Sequence, residues 1–181
     1  HLYGLPADMT ALREIADKHS LYLIGDAAQA HGSSINGERV GTLADIECFS
    51  FYPTKNMTTG EGGMVTTNNE ELFHMLDSIR NHGRPDSSLG QYEHIRFGLN
   101  LRMTDIGSAM GRVQLRKLPD FNKTRKRNAT MFIDGLKNVS NIILPSVPEG
   151  FNHAWHQFTI RSQDRDSLSD ALRKNGIETR T

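Results

Sequence analysis

Residues 21–26 read Leu21-Tyr22-Leu23-Ile24-Gly25-Asp26, a short apolar run that ends in a glycine and an acid. An amphipathic helix pattern over residues 8–19 precedes this run. A helix that leads into a buried strand is typical of a parallel-sheet unit. Further apolar runs follow at 46–52 and 64–67, with a second amphipathic helix pattern at 69–80. The first half of the chain is therefore predicted to be α/β.

The composition changes around Pro119, which is predicted to end or bend a helix that begins after Thr104. Beyond it the patterns predict a helix at 122–137, strands at 141–144 and 155–160, and a helix at 165–175. We therefore predict that residues 1–119 belong to a large α/β domain and that residues 120–181 begin a small α+β domain. Both ends look cut, since the chain starts at His1 and stops where another element is beginning.

The composition excludes several classes of protein. The chain has 181 residues, and its 21 basic and 21 acidic side chains leave no net charge to attract nucleic acid or an anionic membrane. No apolar run approaches the ~20 residues that span a bilayer. A single cysteine, Cys48, cannot form an internal disulfide, which favours the reducing cytoplasm.

The first candidate catalytic residue is Lys55, which follows a predicted buried strand in Ser50-Phe51-Tyr52-Pro53-Thr54-Lys55. Apolar neighbours disfavour an ammonium ion and so favour the neutral amine that a Schiff-base nucleophile requires. The alternative is an ordinary solvated lysine, because most lysines of a globular protein lie on its surface.

A second candidate is Asp26, at the carboxyl end of the first predicted strand. Ligands of open α/β sheets gather at these strand ends, and an acid there can keep a pyridine nitrogen protonated. The alternative is a helix N-cap that accepts backbone N–H groups. Asp26 and Lys55 are predicted to follow adjacent or nearly adjacent strands, which would bring them within one cofactor width.

Taken together, these motifs resemble the DegT/DnrJ/EryC1/StrS family of pyridoxal-phosphate sugar aminotransferases, which have fold-type I. The resemblance covers essentially the whole chain. It is carried by Asp26-Ala27-Ala28-Gln29-Ala30-His31-Gly32, Phe49-Ser50-Phe51-Tyr52-Pro53-Thr54-Lys55-Asn56, Gly60-Glu61-Gly62-Gly63, Arg80-Asn81-His82-Gly83 and Gly98-Leu99-Asn100-Leu101-Arg102-Met103.

The resemblance implies a role for each matched residue. Lys55 matches the lysine that holds pyridoxal phosphate as a Schiff base and moves the proton, and Asp26 matches the partner of the pyridinium nitrogen. Gln29 matches the amide that reaches the phenolic oxygen of the cofactor, and Ala28 matches the small residue against its ring. The remaining matches concern the phosphate: Ser50 matches a hydroxyl that contacts it, and Asn100 matches a residue that reaches the phosphate of the neighbouring subunit.

The implied activity is transfer of an amino group from an amino acid, glutamate in most relatives, to a nucleotide-linked keto sugar. The last match, at Asn100, also implies a homodimer with shared active sites. The family's chains are about twice this length, so this chain alone is expected to lack half of the cofactor pocket and to be inactive. A sugar dehydratase, in which histidine replaces the lysine, and a non-catalytic regulatory relative remain as alternatives.

Two further patterns are assigned ordinary roles. His153 and His156 lack the spacing and the acidic or cysteine partners of a metal site, so no metal is predicted. The basic run at 123–127 is predicted to be the solvated face of a helix rather than a nucleic-acid patch.

Overall fold

A computed structural model describes residues 1–85 and 93–181. The described part contains four helices and eight short strands. In chain order these are α1 (Met9–Lys18), β1 (Ile24–Asp26), β2 (Ser34–Ile35), β3 (Glu38–Arg39), β4 (Ile46–Ser50), β5 (Gly63–Thr66), α2 (Glu70–Arg80), α3 (Asp105–Leu136), β6 (Ile142–Ile143), β7 (Phe151–Asn152), β8 (Arg161–Ser162) and α4 (Arg165–Lys174).

The central sheet has the order β1-β4-β5. Strands β1 and β4 are parallel, and β5 is antiparallel to β4. Two buried apolar clusters pack around this sheet, and Phe49 of β4 packs against both. The core therefore lies directly behind the carboxyl end of β4, where the turn that carries Lys55 begins.

Local signals predicted three of the helices well. Asp8 caps α1 by accepting the Ala11 N–H, and Asn69 caps α2 by accepting the Leu72 N–H. The helix predicted at 165–175 is confirmed as α4, which ends where Gly176 follows with a φ of +78°, a conformation that favours glycine.

Helix α3 corrects the prediction of two helices separated at Pro119. It is continuous from Asp105 to Leu136, with Pro119 inside it. The preceding residue, Leu118, is buried against Phe51 and Met57, so tertiary packing holds the helix together at the proline. The domain boundary between residues 119 and 120 remains a prediction, and this helix runs across it.

Two other expectations differ from the structure. The strand predicted at 155–160 is absent, and short strands lie on either side of it instead. A hairpin of β2 and β3 was not predicted. Its turn is Asn36-Gly37, with φ of +50° and +87°, and β2 also pairs with β7 from the far end of the chain.

None of the helices among residues 1–85 and 93–181 combines the length and the apolar character that a membrane crossing needs.

Candidate active site

The carboxyl ends of β1 and β4 meet at one edge of the central sheet. Asp26 ends β1 and stands opposite Cys48 of β4, and the Ala27 N–H donates to the Cys48 carbonyl over 2.8 Å. Ser50 ends β4, so Asp26, Ser50 and the turn that carries Lys55 leave the sheet at the same edge. The predicted adjacency of the strands that precede Asp26 and Lys55 is confirmed.

The Asp26 carboxylate is exposed, and one of its oxygens is already bound. Its Oδ1 accepts the Ala28 N–H over 3.0 Å, which closes the turn after β1. No helix follows β1, so the alternative in which Asp26 caps a helix is wrong. Within the described ranges Oδ2 has no hydrogen-bond partner, so it can accept a hydrogen bond from a donor group of a ligand.

The turn after Asp26 alternates buried and accessible residues. Ala27 and Ala30 are fully buried in the core, whereas Ala28 and Gln29 are only half-buried. The Gln29 Oε1 accepts the Tyr3 N–H over 2.6 Å. This bond orients the amide, because the oxygen is occupied and the NH₂ group is left to donate elsewhere.

Lys55 is half-buried on a turn that is fixed at both ends. Its backbone N–H donates to the Tyr52 carbonyl over 3.0 Å. Below the turn, Phe51 accepts the Thr59 N–H over 3.0 Å and packs in the core. The Ser50 Oγ accepts the Tyr52 N–H over 3.3 Å, so its own hydroxyl proton is free to be donated.

Glycines allow the chain to return closely beneath this turn. Gly62 has a φ of +147°, and a Cβ atom there would lie 2.6 Å from Thr59 Oγ1 and 2.8 Å from Met103 Sδ. A side chain at Gly62 would therefore displace Thr59 and Met103, which support the turn.

Two buried histidines lie within electrostatic reach of Lys55. Burial lowers the pKa of His31 to about 4, and repulsion from His156 and Lys55 adds to this effect. The Ser50 carbonyl opposes the shift, although neither ring nitrogen of His31 has a partner in strict hydrogen-bond geometry. Burial likewise lowers the pKa of His156 to about 4, with smaller contributions from Lys55 and Arg125. Both rings are therefore neutral near pH 7.

Asn56, the residue after Lys55, is 3% exposed and fully hydrogen-bonded. Its Nδ2 donates to Asn122 Oδ1 on α3 and to the Ala154 carbonyl, both over 2.8 Å. Its Oδ1 lies 3.1 Å from His156 Nδ1. The turn that carries Lys55 is thus tied to α3 and to the segment at 153–156.

That segment has a constrained backbone. Trp155 has a φ of +50°, and its backbone N–H donates to His153 Nδ1 over 2.8 Å. The rings of the two residues stack with their centres 4.0 Å apart. Arg125 of α3 donates to the carbonyls of Trp155 and His156 over 3.2 and 3.1 Å. This irregular, hydrogen-bonded backbone explains why no strand forms at 155–160.

Asn100 follows α2 rather than the strands that carry the other predicted site residues. It is exposed and forms a backbone bridge with Asn81 at the end of α2. Within the described ranges, no hydrogen bond joins Asn100 to Asp26, Ser50 or Lys55.

The sequence prediction missed the network around Asn56 and the role of His156. One signal was available on α3: Leu118, Asn122 and Ala129 follow helical spacing on the side that packs inward, and a polar residue in that stripe calls for a buried partner. No comparable signal exists for Ala154, which contributes through its backbone carbonyl.

Comparison with known proteins agrees with this arrangement of motifs. The chain is 41% identical over 182 residues to a dTDP-3-amino-3,4,6-trideoxy-alpha-D-glucose transaminase of Streptomyces venezuelae, covering 100% of the chain and 47% of that protein. It is 42% identical over 178 residues to a UDP-N-acetyl-3-dehydro-alpha-D-glucosamine 3-aminotransferase of Acidithiobacillus ferrooxidans, covering 98% and 47% respectively. The chain thus spans about half the length of the curated relatives it matches.

A solved structure has the same fold. The crystal structure of Streptomyces venezuelae DesV in complex with a ketimine intermediate superposes with a TM-score of 0.92 at 41% identity, over 98% of this chain and 47% of that one. Such neighbours are fold-type I aminotransferases, so the predicted α/β fold class is confirmed. The model of the DegT/DnrJ/EryC1/StrS aminotransferase family matches residues 1–181. Because this match includes every residue, the chain belongs to the DegT/DnrJ/EryC1/StrS aminotransferase family.

Proposed function

We propose that the protein to which these residues belong is a pyridoxal-phosphate aminotransferase that transfers an amino group from an amino acid to a nucleotide-linked keto sugar. The names of the relatives support the reaction class and the kind of acceptor. The observation that carries the proposal is one edge of the sheet, where unoccupied polar groups of Asp26, Gln29 and Ser50 accompany the turn of Lys55.

These groups fit the chemistry of pyridoxal phosphate. The free Oδ2 of Asp26 suits a protonated ring nitrogen, and the NH₂ group of Gln29 suits an anionic phenolic oxygen. The hydroxyl proton of Ser50 suits a phosphate oxygen. The small, half-buried side chain of Ala28 lets a flat ring approach the turn closely.

The bound cofactor would supply an aldehyde for covalent attachment and a ring that withdraws electrons from the donor Cα. The protein's part is to hold that ring and to move protons. With the cofactor bound, Asp26 would keep the ring nitrogen protonated, so that the ring would remain electron-withdrawing. Lys55 would supply the amine that holds the cofactor and would carry the proton that leaves the donor Cα. We propose glutamate as the donor, as the family resemblance implies.

We further propose that the enzyme is a cytoplasmic homodimer in which Asn100 reaches the partner subunit's phosphate site. Three apolar side chains near Asn100 in sequence, Phe97, Leu101 and Ile106, are 85%, 62% and 80% exposed. Exposed apolar residues concentrated in this way favour a protein contact. Analytical ultracentrifugation of the protein encoded by the full natural reading frame tests the proposed homodimer. A dimer that Ile106→Asp dissociates is expected, and a wild-type monomer at micromolar concentration would exclude the shared site.

Borohydride reduction of the holoenzyme tests the assignment of Lys55. Peptide mapping should find the cofactor attached to Lys55, and Lys55→Ala should lower kcat by at least about 10³-fold, the scale of a lost proton carrier and attachment point. Lys18→Ala, an exposed lysine at the end of α1, is the matched control. Attachment at another lysine would refute the assignment. No attachment at all would favour a regulatory relative instead.

A panel of keto-sugar nucleotides with a glutamate donor tests the substrate class. Amino-sugar product is expected from at least one of them. A deoxygenated product without amino transfer would identify the dehydratase alternative, although the presence of Lys55 instead of histidine argues against it.

A further inference from the structure

Lys55 is directly followed by a deeply buried residue, Asn56. Within the described part of the chain, the Lys55 side chain has no hydrogen bond, and its neighbours Pro53 and Thr54 are exposed. By contrast, Asn56 and Met57 are 3% and 5% exposed. The turn is therefore anchored on its C-terminal side, immediately beside the lysine.

The hydrogen bonds of Asn56 admit a single orientation of its amide. Both protons of Nδ2 point at acceptors, Asn122 Oδ1 and the Ala154 carbonyl. If the amide were flipped, Oδ1 would face the Ala154 carbonyl at 2.8 Å with no proton between them. Asn122 is fixed in turn, because its Nδ2 donates to the His31 carbonyl over 2.8 Å.

This orientation also assigns the proton of His156. The Asn56 Oδ1 can only accept, so the neutral His156 ring must carry its proton on Nδ1. Nδ1 protonation is thereby selected by the amide, and Nε2 keeps its lone pair. The three partners of Asn56 come from α3 and from the segment at 153–156, far from the lysine in sequence.

We propose that Asn56 is a positioning residue for Lys55, and that Asn122, the Ala154 carbonyl and His156 form the socket that holds it. The inference rests on the proposed function, since it concerns the amine that attaches the cofactor. Three hydrogen bonds from one buried side chain restrict where the adjacent residue can move. A displacement of about 1 Å in a catalytic group can lower the rate about 10²-fold. Hydrogen bonds that keep Asn56 in place, and with it Lys55, are therefore expected to sustain the rate.

The test uses the full natural reading frame with Asn56→Ala, which removes all three bonds. Two readouts other than turnover are measured. The ¹⁵N NMR spectrum of the cofactor-free protein reports the tautomer of His156, and stopped-flow absorbance reports the rate at which added pyridoxal phosphate attaches to Lys55. We expect loss of the pure Nδ1–H tautomer and at least tenfold slower attachment, with kcat reduced by a similar factor and KM for the donor within about twofold.

A second pair of variants gives a result even if Asn56→Ala does not fold. His156→Phe retains a ring but cannot donate to Asn56, whereas His156→Asn places an amide N–H near the position of Nδ1. The Phe variant should attach the cofactor at least tenfold more slowly than wild type, and the Asn variant within about threefold of it. A merely structural effect of ring loss would penalise the Asn variant more.

Thr67→Val is the matched control for general destabilisation. The Thr67 Oγ1 donates to the Asp45 carbonyl over 2.6 Å at the opposite end of β4, so its loss should leave the attachment rate unchanged within about twofold. Wild-type attachment rates in Asn56→Ala, or in His156→Phe, would overturn the inference while leaving the proposed function intact. Absence of attachment to Lys55 in the wild-type protein would overturn both.

Discussion

Acidification should destabilise the protein through His31, whose ring is 3% exposed and lies 5.3 Å from the Phe49 ring and 6.0 Å from that of Phe51. Burial lowers its pKa from 6.5 to about 4, so between these values the unfolded chain binds a proton that the folded protein does not. The stabilisation from the neutral ring is complete above pH 6.5 and is lost as the pH falls towards 4.

The size of the effect follows from this shift. At pH 5.0 a group with these two pKa values lowers the free energy of unfolding by about 2 kcal/mol relative to pH 7.5. Replacing His31 by Phe removes the titrating group. Changes in packing alter the free energy of unfolding equally at both pH values and cancel in the difference. Between pH 7.5 and 5.0 the variant should therefore lose about 2 kcal/mol less unfolding free energy than wild type.

Urea unfolding of the cofactor-free protein, followed by far-ultraviolet circular dichroism at the two pH values, measures this difference. Phe49→Leu is the control, because it disturbs packing beside His31 without removing a proton-binding group. Its pH dependence should match that of wild type. If His31→Phe and wild type lose the same free energy within about 0.5 kcal/mol, the assignment of a neutral, buried His31 is refuted.

Three stability predictions use the same unfolding assay at pH 7.5. Glu47 is fully buried and accepts two backbone N–H groups besides its 2.8 Å contact with the His1 ring. Glu47→Gln replaces one acceptor by a donor and should therefore lower the free energy of unfolding by about 1–3 kcal/mol. An unchanged unfolding midpoint would contradict this bonding. Thr104 caps α3 by accepting the Gly107 N–H over 3.1 Å; Thr104→Ala should cost about 1 kcal/mol and Thr104→Ser much less, and equal costs would argue against the cap. Gly37 has a φ of +87° with open space around it, so Gly37→Ala should cost about 1 kcal/mol from backbone strain alone, whereas a stabilising effect would exclude this turn.

The parts of the fold that the sequence predicted are those set by neighbouring residues. Asp8 and Asn69 cap their helices through bonds to N–H groups three residues away, so the signal and its effect lie within one turn. The edge that gathers Asp26 and Ser50 was predictable for a related reason, because parallel neighbours bring their carboxyl ends to the same side.

The parts that the sequence did not predict depend on contacts distant along the chain. Pro119 remains inside α3 because Leu118 packs against residues some sixty positions earlier. Residues 155–160 have the composition of a strand, but Arg125 binds the carbonyls of Trp155 and His156, and Asn56 binds the carbonyl of Ala154 just before them. The socket of Asn56 was missed for the same reason: the helical spacing of Asn122 indicated a buried polar partner, but which residue it meets is decided only by folding.

Helix α3 has a mechanical consequence. Its 32 residues make a rod about 48 Å long, which meets Thr59 near one end, binds Asn56 in the middle, and presents Phe132 to Phe158, 5.1 Å between ring centres, towards the other end. The turn of Lys55 and the segment at 153–158 are therefore fastened to the same helix. Any movement of one relative to the other has to break the hydrogen bonds made by Asn56 or those made by Arg125.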